Sequence, residues 1–215
     1  MTTRSRMIAG TGSHQLVIKK SRFLCTVGRV ATEDEARVFV AQLKKQYWDA
    51  SHNCSAWVIG ERGELQRSND DGEPSGTAGS PMLNVLNQRA LTNTAAVVTR
   101  YFGGMLLGAG GLIRAYGQSV SDAIDATGII ERRPLLVVAV EAAHEEAGRL
   151  DYALRGSPYH VADIKYGPNV TFELHLEEAA LDPFAGWLAE TTSGRCIGEV
   201  AGIEHGEVPV MEEGE

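Results

Sequence analysis

The stretch RYFGGMLLGAGGLIRAYG, residues 100–117, constrains the fold more than any other part of the sequence. The residues before it, Thr94 to Phe102, are rich in β-branched and aromatic side chains, which predicts a buried strand. The residues after its glycines, Leu112 to Ala126, predict a helix that ends at Gly128. The chain must therefore pass from a strand to a helix through a loop rich in glycine. Its glycines are Gly103, Gly104, Gly108, Gly110 and Gly111.

Two interpretations of this glycine loop, residues 103–111, stay open at the level of sequence. A helix N-terminus has unpaired N–H groups and a partial positive charge, so a glycine loop that leads into one favours an anion. The alternative is a tight turn that needs positive φ. The loop matches neither a Walker A motif nor the dinucleotide fingerprint, because no Lys-Ser/Thr follows Gly108 and residue 113 is Ile113. If Gly111 is the helix cap, Arg114 takes the third helical position, where an anion would offset its unfavourable charge.

A second glycine-rich segment, DDGEPSGTAG at residues 70–79, carries three carboxylates and is called the acidic loop here. Arg100 alternates with Val98 and Phe102, so it is predicted on the apolar face of its strand, where a charge needs a partner. In one interpretation Asp71 and Glu73 pair with Arg100 or Arg114 as a structural lock. In the other, the carboxylates hold a metal or orient a substrate, and the arginines bind phosphate. Both interpretations predict that the two loops share one pocket.

No complete catalytic set is recognisable, so the catalytic residues are unknown. His52 and Cys54 alternate with apolar residues and are interpreted as part of a core wall rather than a metal site. Lys19, Lys20 and Arg22 extend a basic surface, unless they are ordinary solvated side chains. Trp48, Trp57 and Tyr101 are candidates for base stacking or for the core.

The composition excludes several classes of protein. The longest later apolar run, Leu135 to Val140, is far shorter than the ~20 residues that a membrane span requires, and the first fifteen residues contain no apolar signal segment. We therefore expect a cytoplasmic protein with no membrane partner. The three cysteines form no CxxC spacing, which predicts free thiols rather than a disulfide framework or a zinc site. No metal and no cofactor is predicted.

The order of predicted elements changes beyond Arg133. The earlier part begins with a strand predicted for Leu16 to Val27, and the later part reads βαββαβ. We predict domains at residues 1–130 and 134–203 and a disordered acidic tail at 204–215. Charge divides in the same way: residues 1–127 hold 14 Lys and Arg against 11 Asp and Glu, a balance of +3, whereas residues 128–215 hold 6 against 17, a balance of −11. The two parts therefore have different electrostatic roles, unless the acid only solvates a surface.

Four motifs, in this order, resemble the YigZ/IMPACT family. They are KKSRF (19–23), HNCSAW (52–57), SNDDGEPSGTAGSPML (68–83) and VVTRYFGGMLLGAGGLIRAYG (97–117). The resemblance spans residues 19 to about 127, and it is weaker beyond Arg133, where it points to bacterial YigZ-type members with two domains. It departs from the family at Leu106, where many relatives have lysine. The site residues that the resemblance implies are Asp71, Gly72, Glu73, Thr77, Arg100, Gly103, Gly104, Gly108, Gly111, Arg114 and Tyr116.

The resemblance implies an α+β protein with a ribosomal protein S5 domain 2-like domain, which contains a left-handed βαβ crossover, followed by a ferredoxin-like domain. Eukaryotic relatives regulate translation initiation by competing for the activator of a stress kinase, and nucleic-acid or ribosome binding is the usual suggestion for bacterial members. The first functional prediction is a translation-associated regulator without catalysis. Its basic domain would bind RNA or the ribosome, and its acidic domain would mimic nucleic acid or contact a protein partner. The alternative is an enzyme or sensor for a small phosphorylated ligand bound at the glycine loop, because kinases of the galactokinase type share the superfamily.

Overall fold

The computed structural model describes residues 5–210, which form two compact units. The first unit contains residues 5–131 and 208–210, and the second contains residues 132–207. Each unit combines helices with a sheet whose registered strand pairs are antiparallel. The prediction of an α+β protein is therefore confirmed at this level.

The first unit contains a five-stranded sheet and three helices. In chain order its elements are β1 (Ser5–Ile8), β2 (Gly12–Ile18), β3 (Ser21–Arg29), α1 (Glu33–Gln46), β4 (His52–Ile59), β5 (Leu65–Asn69), α2 (Gly79–Gln88), β6 (Thr94–Tyr101) and α3 (Ala109–Thr127). The sheet has the order β2-β3-β6-β4-β5, and β1 pairs outside it with β7 (Ile129–Ala142), which begins in this unit. β6 is the central strand and runs antiparallel to both β3 and β4.

Apolar side chains on both faces of this sheet explain its two layers of helix. Residues of α2 and α3, including Met82, Leu86 and Val120, pack on one face. Ala36 of α1 packs on the other face with Ala95. Residues of β6 point alternately to these two cores, which explains why seven of its eight residues are buried.

The predicted strand Leu16 to Val27 is wrong, because the structure has a β-hairpin at this position. Ile18 pairs with Ser21, and the two residues between them, Lys19 and Lys20, both have left-handed φ, +46° and +64°. Two positive φ angles are typical of a type I′ turn, for which Asn-Gly is the usual sequence. Two lysines carry no such signal, so the sequence did not reveal the turn.

The helix after the glycine loop begins earlier than predicted. Its N-cap is Gly108, not Gly111, and the Gly108 carbonyl accepts from the N–H of Leu112 at 2.9 Å. Gly108 has φ +72°, which favours glycine, so the chain turns there. Arg114 is thus the sixth helical residue and is exposed, beyond the first turn where the helix dipole acts most strongly. The unfavourable charge predicted for Arg114 therefore does not arise.

The second unit has the predicted element order βαββαβ. Its elements are the remainder of β7, then α4 (His144–Arg155), β8 (Val161–Tyr166), β9 (Val170–Leu176), a 3-10 helix (Glu178–Ala180), α5 (Leu181–Thr192) and β10 (Gly198–Pro209). β9 pairs with β7 and β8, and β10 pairs with β7. Residues 204–209 of the predicted disordered tail belong to β10, so that prediction is wrong for them, and residues 211–215 lie outside the described residues.

Candidate functional site

Arg100 lies on the central strand of the first unit, opposite Phe23 of β3 and His52 of β4. Its side chain is buried, and its Cζ atom lies 5.2 Å and 5.5 Å from the ring centroids of Phe23 and Phe102. The ring faces attract the guanidinium. A cation at this depth still needs a counter-ion, because its hydration is lost.

Glu73 of the acidic loop is that counter-ion. Arg100 Nη1 donates to Glu73 Oε1 at 2.5 Å, and the hydroxyl of Tyr116 on α3 donates to the same oxygen at 2.8 Å. Glu73 is 8% exposed and Tyr116 is fully buried, so the three groups form a desolvated cluster. This pairing of Glu73 with Arg100 is the one that the lock interpretation predicts.

Two polar groups of the cluster are left without a partner among the described residues. The Nε atom of Arg100 is buried and has no acceptor. Every hydrogen bond and ion pair of the Glu73 side chain with the described residues ends at Oε1, so Oε2 keeps its capacity to accept. The cluster is therefore held together by hydrogen bonds, although not all of its hydrogen-bonding groups have a partner among the described residues.

Cys54 and Tyr116 remain neutral in this environment. Burial raises the pKa of the Cys54 thiol to about 12, with a further contribution from the nearby Glu73 carboxylate. Burial, together with Cys54 and Glu73, raises the pKa of the Tyr116 hydroxyl. A thiol with so high a pKa is a poor nucleophile. Cys54 donates to the Asp70 carbonyl at 3.0 Å and packs in the core with Ala56, as the interpretation of a core wall predicts. His52, for which the same was predicted, is only half-buried and does not belong to the core cluster.

The other two carboxylates of the acidic loop bind elsewhere. Asp70 accepts from the backbone N–H groups of Gly76, Ala78 and Gly79 at 2.8–3.0 Å, so it caps the start of α2. Asp71 pairs with Lys44 of α1 at 2.5 Å and accepts from the Asn53 N–H. The predicted pairing of Asp71 with an arginine is therefore wrong. The three carboxylates point to three different partners, unlike ligands gathered around one metal.

Acid should weaken this loop. Burial raises the pKa of Asp70, but the three backbone N–H groups outweigh burial and the net pKa is lowered. Since the folded pKa lies below the unfolded one, Asp70 stabilises the fold above the unfolded pKa, and this stabilisation is lost as pH falls through the folded pKa. We expect Asp70→Asn to lower the urea midpoint at neutral pH and to make its decline between pH ~5 and ~2 shallower. If the wild type and the variant decline in parallel, Asp70 does not have this role.

The remaining predicted residues of the acidic loop shape its backbone. The Thr77 hydroxyl donates to the Pro74 carbonyl at 2.6 Å, within the loop itself. Gly72 lies against the imidazole of His52, whose Nδ1 lies 2.9 Å from the Asp71 carbonyl oxygen. Because a carbonyl only accepts, Nδ1 carries a proton in this contact.

The glycine loop approaches the β2–β3 hairpin. A Cβ atom on Gly103 would collide with the backbone of Lys20 and Ser21, and the Gly103 N–H donates to the Ser21 hydroxyl at 3.1 Å. Gly104 is exposed in the loop, and Gly110 and Gly111 lie in the first turn of α3. Arg114 is exposed and makes no ion pair with the residues that the structure describes. It therefore has no demonstrated part in the cluster.

The acidic loop and the glycine loop line one cavity of about 400 Å³, called the shared cavity here. Its lining residues are His52, Gly72, Glu73, Pro74, Arg100, Phe102, Leu106, Leu107, Gly108, Ala109 and Leu112. The buried ion pair thus lies beside apolar walls and the start of α3. This combination of apolar walls with a few polar groups is typical of ligand sites.

The basic residues lie next to this cavity. Lys19 and Lys20, called the basic turn here, are exposed, and the backbone of Lys20 lies against Gly103 of the glycine loop. Arg22 stacks over the ring of Tyr101 at 4.5 Å. Trp48 is 80% exposed, whereas Trp57 packs against the cluster of Ala36 and Ala95 on the α1 face of the sheet. An exposed tryptophan and a stacked Arg–Tyr pair therefore accompany the lysines on the first unit.

Sequence reasoning missed several residues of the site. Lys44 binds Asp71, which lies 27 residues further along the sequence, and nothing in the sequence around Lys44 indicated this pairing. Phe102 and Leu107 line the shared cavity although they read as ordinary apolar residues. The sequence signal that could have identified Phe102 and Leu107 is their position between a strand and a helix, close to Arg100.

The second unit contains a different cavity, of about 470 Å³, lined by residues of α4 and β8. Its charged side chains lie at the surface: Arg155 pairs with Asp151, and His160 and Asp163 are exposed. No buried charged group lines it among the described residues. Its chemistry is therefore less distinctive than that of the shared cavity.

No group of three His, Cys, Asp or Glu side chains within residues 5–210 could hold a metal ion. No helix in that range is both long and apolar enough to cross a membrane.

Comparison with known proteins identifies two domains in the chain. The Impact N-terminal domain matches residues 19–124, which contain the shared cavity and the basic turn. A domain of unknown function, DUF1949, matches residues 140–195 in the second unit.

Curated relatives cover most of the chain. IMPACT family member YvyE of Bacillus subtilis is 49% identical over 94% of this chain and 90% of its own length, and IMPACT family member YigZ of Escherichia coli is 34% identical over 82% and 88%. The Protein IMPACT homolog of Saccharomyces cerevisiae is 34% identical over 46% of this chain and 39% of its own length. A crystal structure of a hypothetical protein aligns with a TM-score of 0.59 at 29% identity, over 94% of this chain and 99% of that one.

Proposed function

The chain belongs to the IMPACT family, and on this premise we propose that it is a translation-associated regulator that binds RNA through its first unit and performs no catalysis. The resemblance seen in the sequence is thus confirmed at the level of the family. We propose the role in translation by analogy with the eukaryotic members of the family. This role would place the protein in the cytoplasm, as the sequence predicts.

The observation that carries the proposal is the basic turn beside the shared cavity. Lys19 and Lys20 both adopt left-handed φ, a conformation that glycine or asparagine would adopt at lower cost. Residues held in such a conformation cluster at functional sites. Two exposed ammonium groups at a fixed turn favour phosphate, and the turn contacts the glycine loop directly.

Aromatic groups support RNA rather than a simple anion. Tyr101 already stacks with the Arg22 guanidinium, and Trp48 presents most of its surface to solvent. Stacking on aromatic side chains and on guanidinium planes is the usual way in which proteins hold unpaired bases. Phosphate contacts from the basic turn and stacking from these rings would together bind a single strand.

We propose two domains with the boundary that the sequence predicts, between residues 130 and 134, and we extend the second domain beyond residue 203 to residue 207 because β10 continues there. A ribosomal protein S5 domain 2-like fold is proposed for the first, and a ferredoxin-like fold for the second. The βαββαβ order and the strand neighbours β10-β7-β9-β8 support the second assignment. The acidic composition of this domain supports a protein partner with a basic surface.

Co-sedimentation with ribosomes across a salt series tests the proposal. We expect binding that weakens as the salt concentration rises. In the double variant Lys19→Gln with Lys20→Gln, the slope of log affinity against log salt concentration should be smaller in magnitude by about 1 to 2. The reason is that each lysine that contacts phosphate contributes to counterion release.

The matched control removes the same charge elsewhere on the first unit. Arg62 and Arg67 are exposed near the β4–β5 turn, so Arg62→Gln with Arg67→Gln should leave the salt slope unchanged. Binding that ignores salt, or equal losses in both double variants, contradicts the proposal. Filter binding to a single-stranded RNA separates direct RNA contact from contact with a ribosomal protein.

The shared cavity also favours the alternative of a small phosphorylated ligand, since it is concave and lies at the start of α3. A thermal-shift panel of nucleotides and sugar phosphates tests this alternative. Flat melting curves with every compound would remove it.

A further inference from the structure

We propose that the outer edge of β10 binds an extended, basic segment of a partner protein, which pairs with β10 as an additional strand. This binding mode rests on the proposed function, in which the second domain has a protein partner with a basic surface. It depends on which edge of the sheet is left unpaired, on the charge of that edge and on its exposed apolar side chains.

β10 lies at an edge of the sheet that contains β7, β8 and β9. It is 12 residues long, and β7 is its partner among the described strands. Every residue from Glu199 to Glu207 other than glycine is exposed, whereas β9 in the same sheet alternates between buried and half-buried residues. Side chains on both faces of β10 therefore reach solvent, and its free edge is open to another strand.

The free backbone groups of β10 lie on the edge that faces away from β7. A Cβ atom on Gly206 would meet Leu135, and Val210, just after β10, donates its N–H to the carbonyl of Ile129. The residue numbers of the two strands thus change in opposite directions, as in an antiparallel pair. Since N–H groups point alternately to the two edges of such a strand, the N–H of His205 faces outward, where an added strand can accept from it.

The opposite edge of the sheet, β8, is protected against an added strand in ways that β10 is not. β8 has six residues, a bulge between Val161 and Asp163, and Lys165. Short length, bulges and lysines are common means by which edge strands avoid further pairing. Residues 198–208 contain no lysine and no proline. β10 is therefore the edge that remains available.

The charge of β10 identifies a basic occupant. The strand contains Glu199, Glu204 and Glu207 and neither lysine nor arginine. A second copy of β10 would bring carboxylates against carboxylates, and like charges on neighbouring strands destabilise a sheet. A segment with lysine or arginine would instead form opposite-charge pairs. The occupant is therefore a basic segment and not a second copy of this chain.

The side chains of β10 also specify an alternating pattern in the segment. Glu204 lies on the face that carries His175, with 3.5 Å between Oε2 and Nε2. Its neighbour Ile203 points to the opposite face and is 64% exposed. An added strand has the same period of two, so basic residues beside Glu204 should alternate with apolar residues beside Ile203. Main-chain hydrogen bonds would supply affinity, and this alternation would supply selectivity.

Calorimetric titration of the full chain with the capped peptide Val-Lys-Val-Lys-Val-Lys-Val tests the proposal. We expect the peptide to bind and to slow hydrogen exchange at the His205 amide. A peptide of the same composition in two blocks, four valines followed by three lysines, should bind ~10-fold more weakly, because its side chains do not alternate. The fully N-methylated alternating peptide should not bind, since it keeps the charges and loses its backbone donors. Equal binding of the three peptides, or no binding of the first, overturns the proposal.

Two variants of one residue test the edge itself. His205→Pro removes an outward N–H and places a ring on the free edge, which an edge strand tolerates. We expect this variant to bind the alternating peptide ~10-fold more weakly, because it loses a main-chain hydrogen bond and the close approach of the added strand. His205→Ala keeps the N–H and should bind like the wild type. If the two variants bind the peptide equally well, β10 is not the site.

Charge variants provide a second test that leaves the backbone unchanged. Glu199→Gln with Glu204→Gln should weaken binding of the alternating peptide by about 3- to 10-fold, since it removes two cross-strand charge pairs. The matched control, Glu145→Gln with Glu190→Gln, removes two exposed carboxylates from α4 and α5 and should have no effect. Equal losses in the two double variants would show general attraction to an acidic domain and would overturn the proposal.

The remaining outcomes separate this site from other occupants and from the proposed function. A wild-type dimer that His205→Pro dissociates would identify a second copy as the occupant and would overturn the proposal. Peptide binding without any ribosome or RNA binding would reject the proposed function of the first unit and keep this site. Salt-sensitive ribosome binding without peptide binding would do the reverse.

Discussion

Glu73→Gln is expected to lower the free energy of unfolding by about 3–5 kcal/mol, the cost of breaking a buried ion pair by removing one partner. The glutamine amide has no charge to balance the guanidinium of Arg100, which is 5% exposed. Tyr116 would also lose the carboxylate that accepts the hydrogen bond from its hydroxyl group. Urea unfolding at neutral pH, followed by tryptophan fluorescence, measures the change.

The control for this variant is a carboxylate of the same type at the surface. Glu61 is exposed in the turn after β4, so Glu61→Gln should change stability by less than about 0.5 kcal/mol. Replacing both partners, Glu73→Met with Arg100→Met, should recover most of the lost stability because no uncompensated charge remains. A Glu73→Gln protein as stable as the Glu61→Gln protein would show that the pair does not secure the acidic loop.

Gly103→Ala is expected to cost about 1–3 kcal/mol of stability, as overpacking does, and to weaken binding to ribosomes. The added methyl group meets the backbone of Lys20 and Ser21, which cannot rotate away as a side chain would. The basic turn must then separate from the glycine loop, and the Ser21 hydroxyl loses the Gly103 N–H. Urea unfolding and the salt series of the co-sedimentation experiment measure the two effects.

Gly110→Ala is the matched control, because it makes the same chemical change in the same loop. A Cβ at Gly110 meets only Arg114 Nη1, at 3.9 Å, and alanine is the better helix former at this position in α3. We expect a gain of about 0.5–1 kcal/mol and unchanged binding. If Gly103→Ala folds and binds like Gly110→Ala, the contact between the two loops is not important.

Local pattern was sufficient where one element decides its own structure. The glycine-rich stretch after a β-branched run gave the strand β6, the loop and the helix α3 almost as they are. Alternation along β6 placed Arg100 on an apolar face, and a buried cation requires a counter-ion, so its need for a carboxylate was predictable. The βαββαβ order of the second unit followed from periodicity and turn residues in the same way.

Partners that are distant in sequence were less predictable. Asp71 and Glu73 are two residues apart and chemically alike, yet one pairs with Lys44 and the other with Arg100. The left-handed φ of Asp71, +46°, and of Gly72, +87°, turns the chain between them. No pattern of residue types encodes that change of direction.

The sequence alone determined most strands and helices, the division of charge between the two parts of the chain and the need for a carboxylate near Arg100. Tertiary structure decided which carboxylate this is, where α3 begins, that Lys19 and Lys20 form a turn, and that this turn contacts Gly103. The physical reason is range. Periodicity and propensity act over a few residues, whereas a buried ion pair or a close backbone contact depends on packing between segments 27 to 82 positions apart.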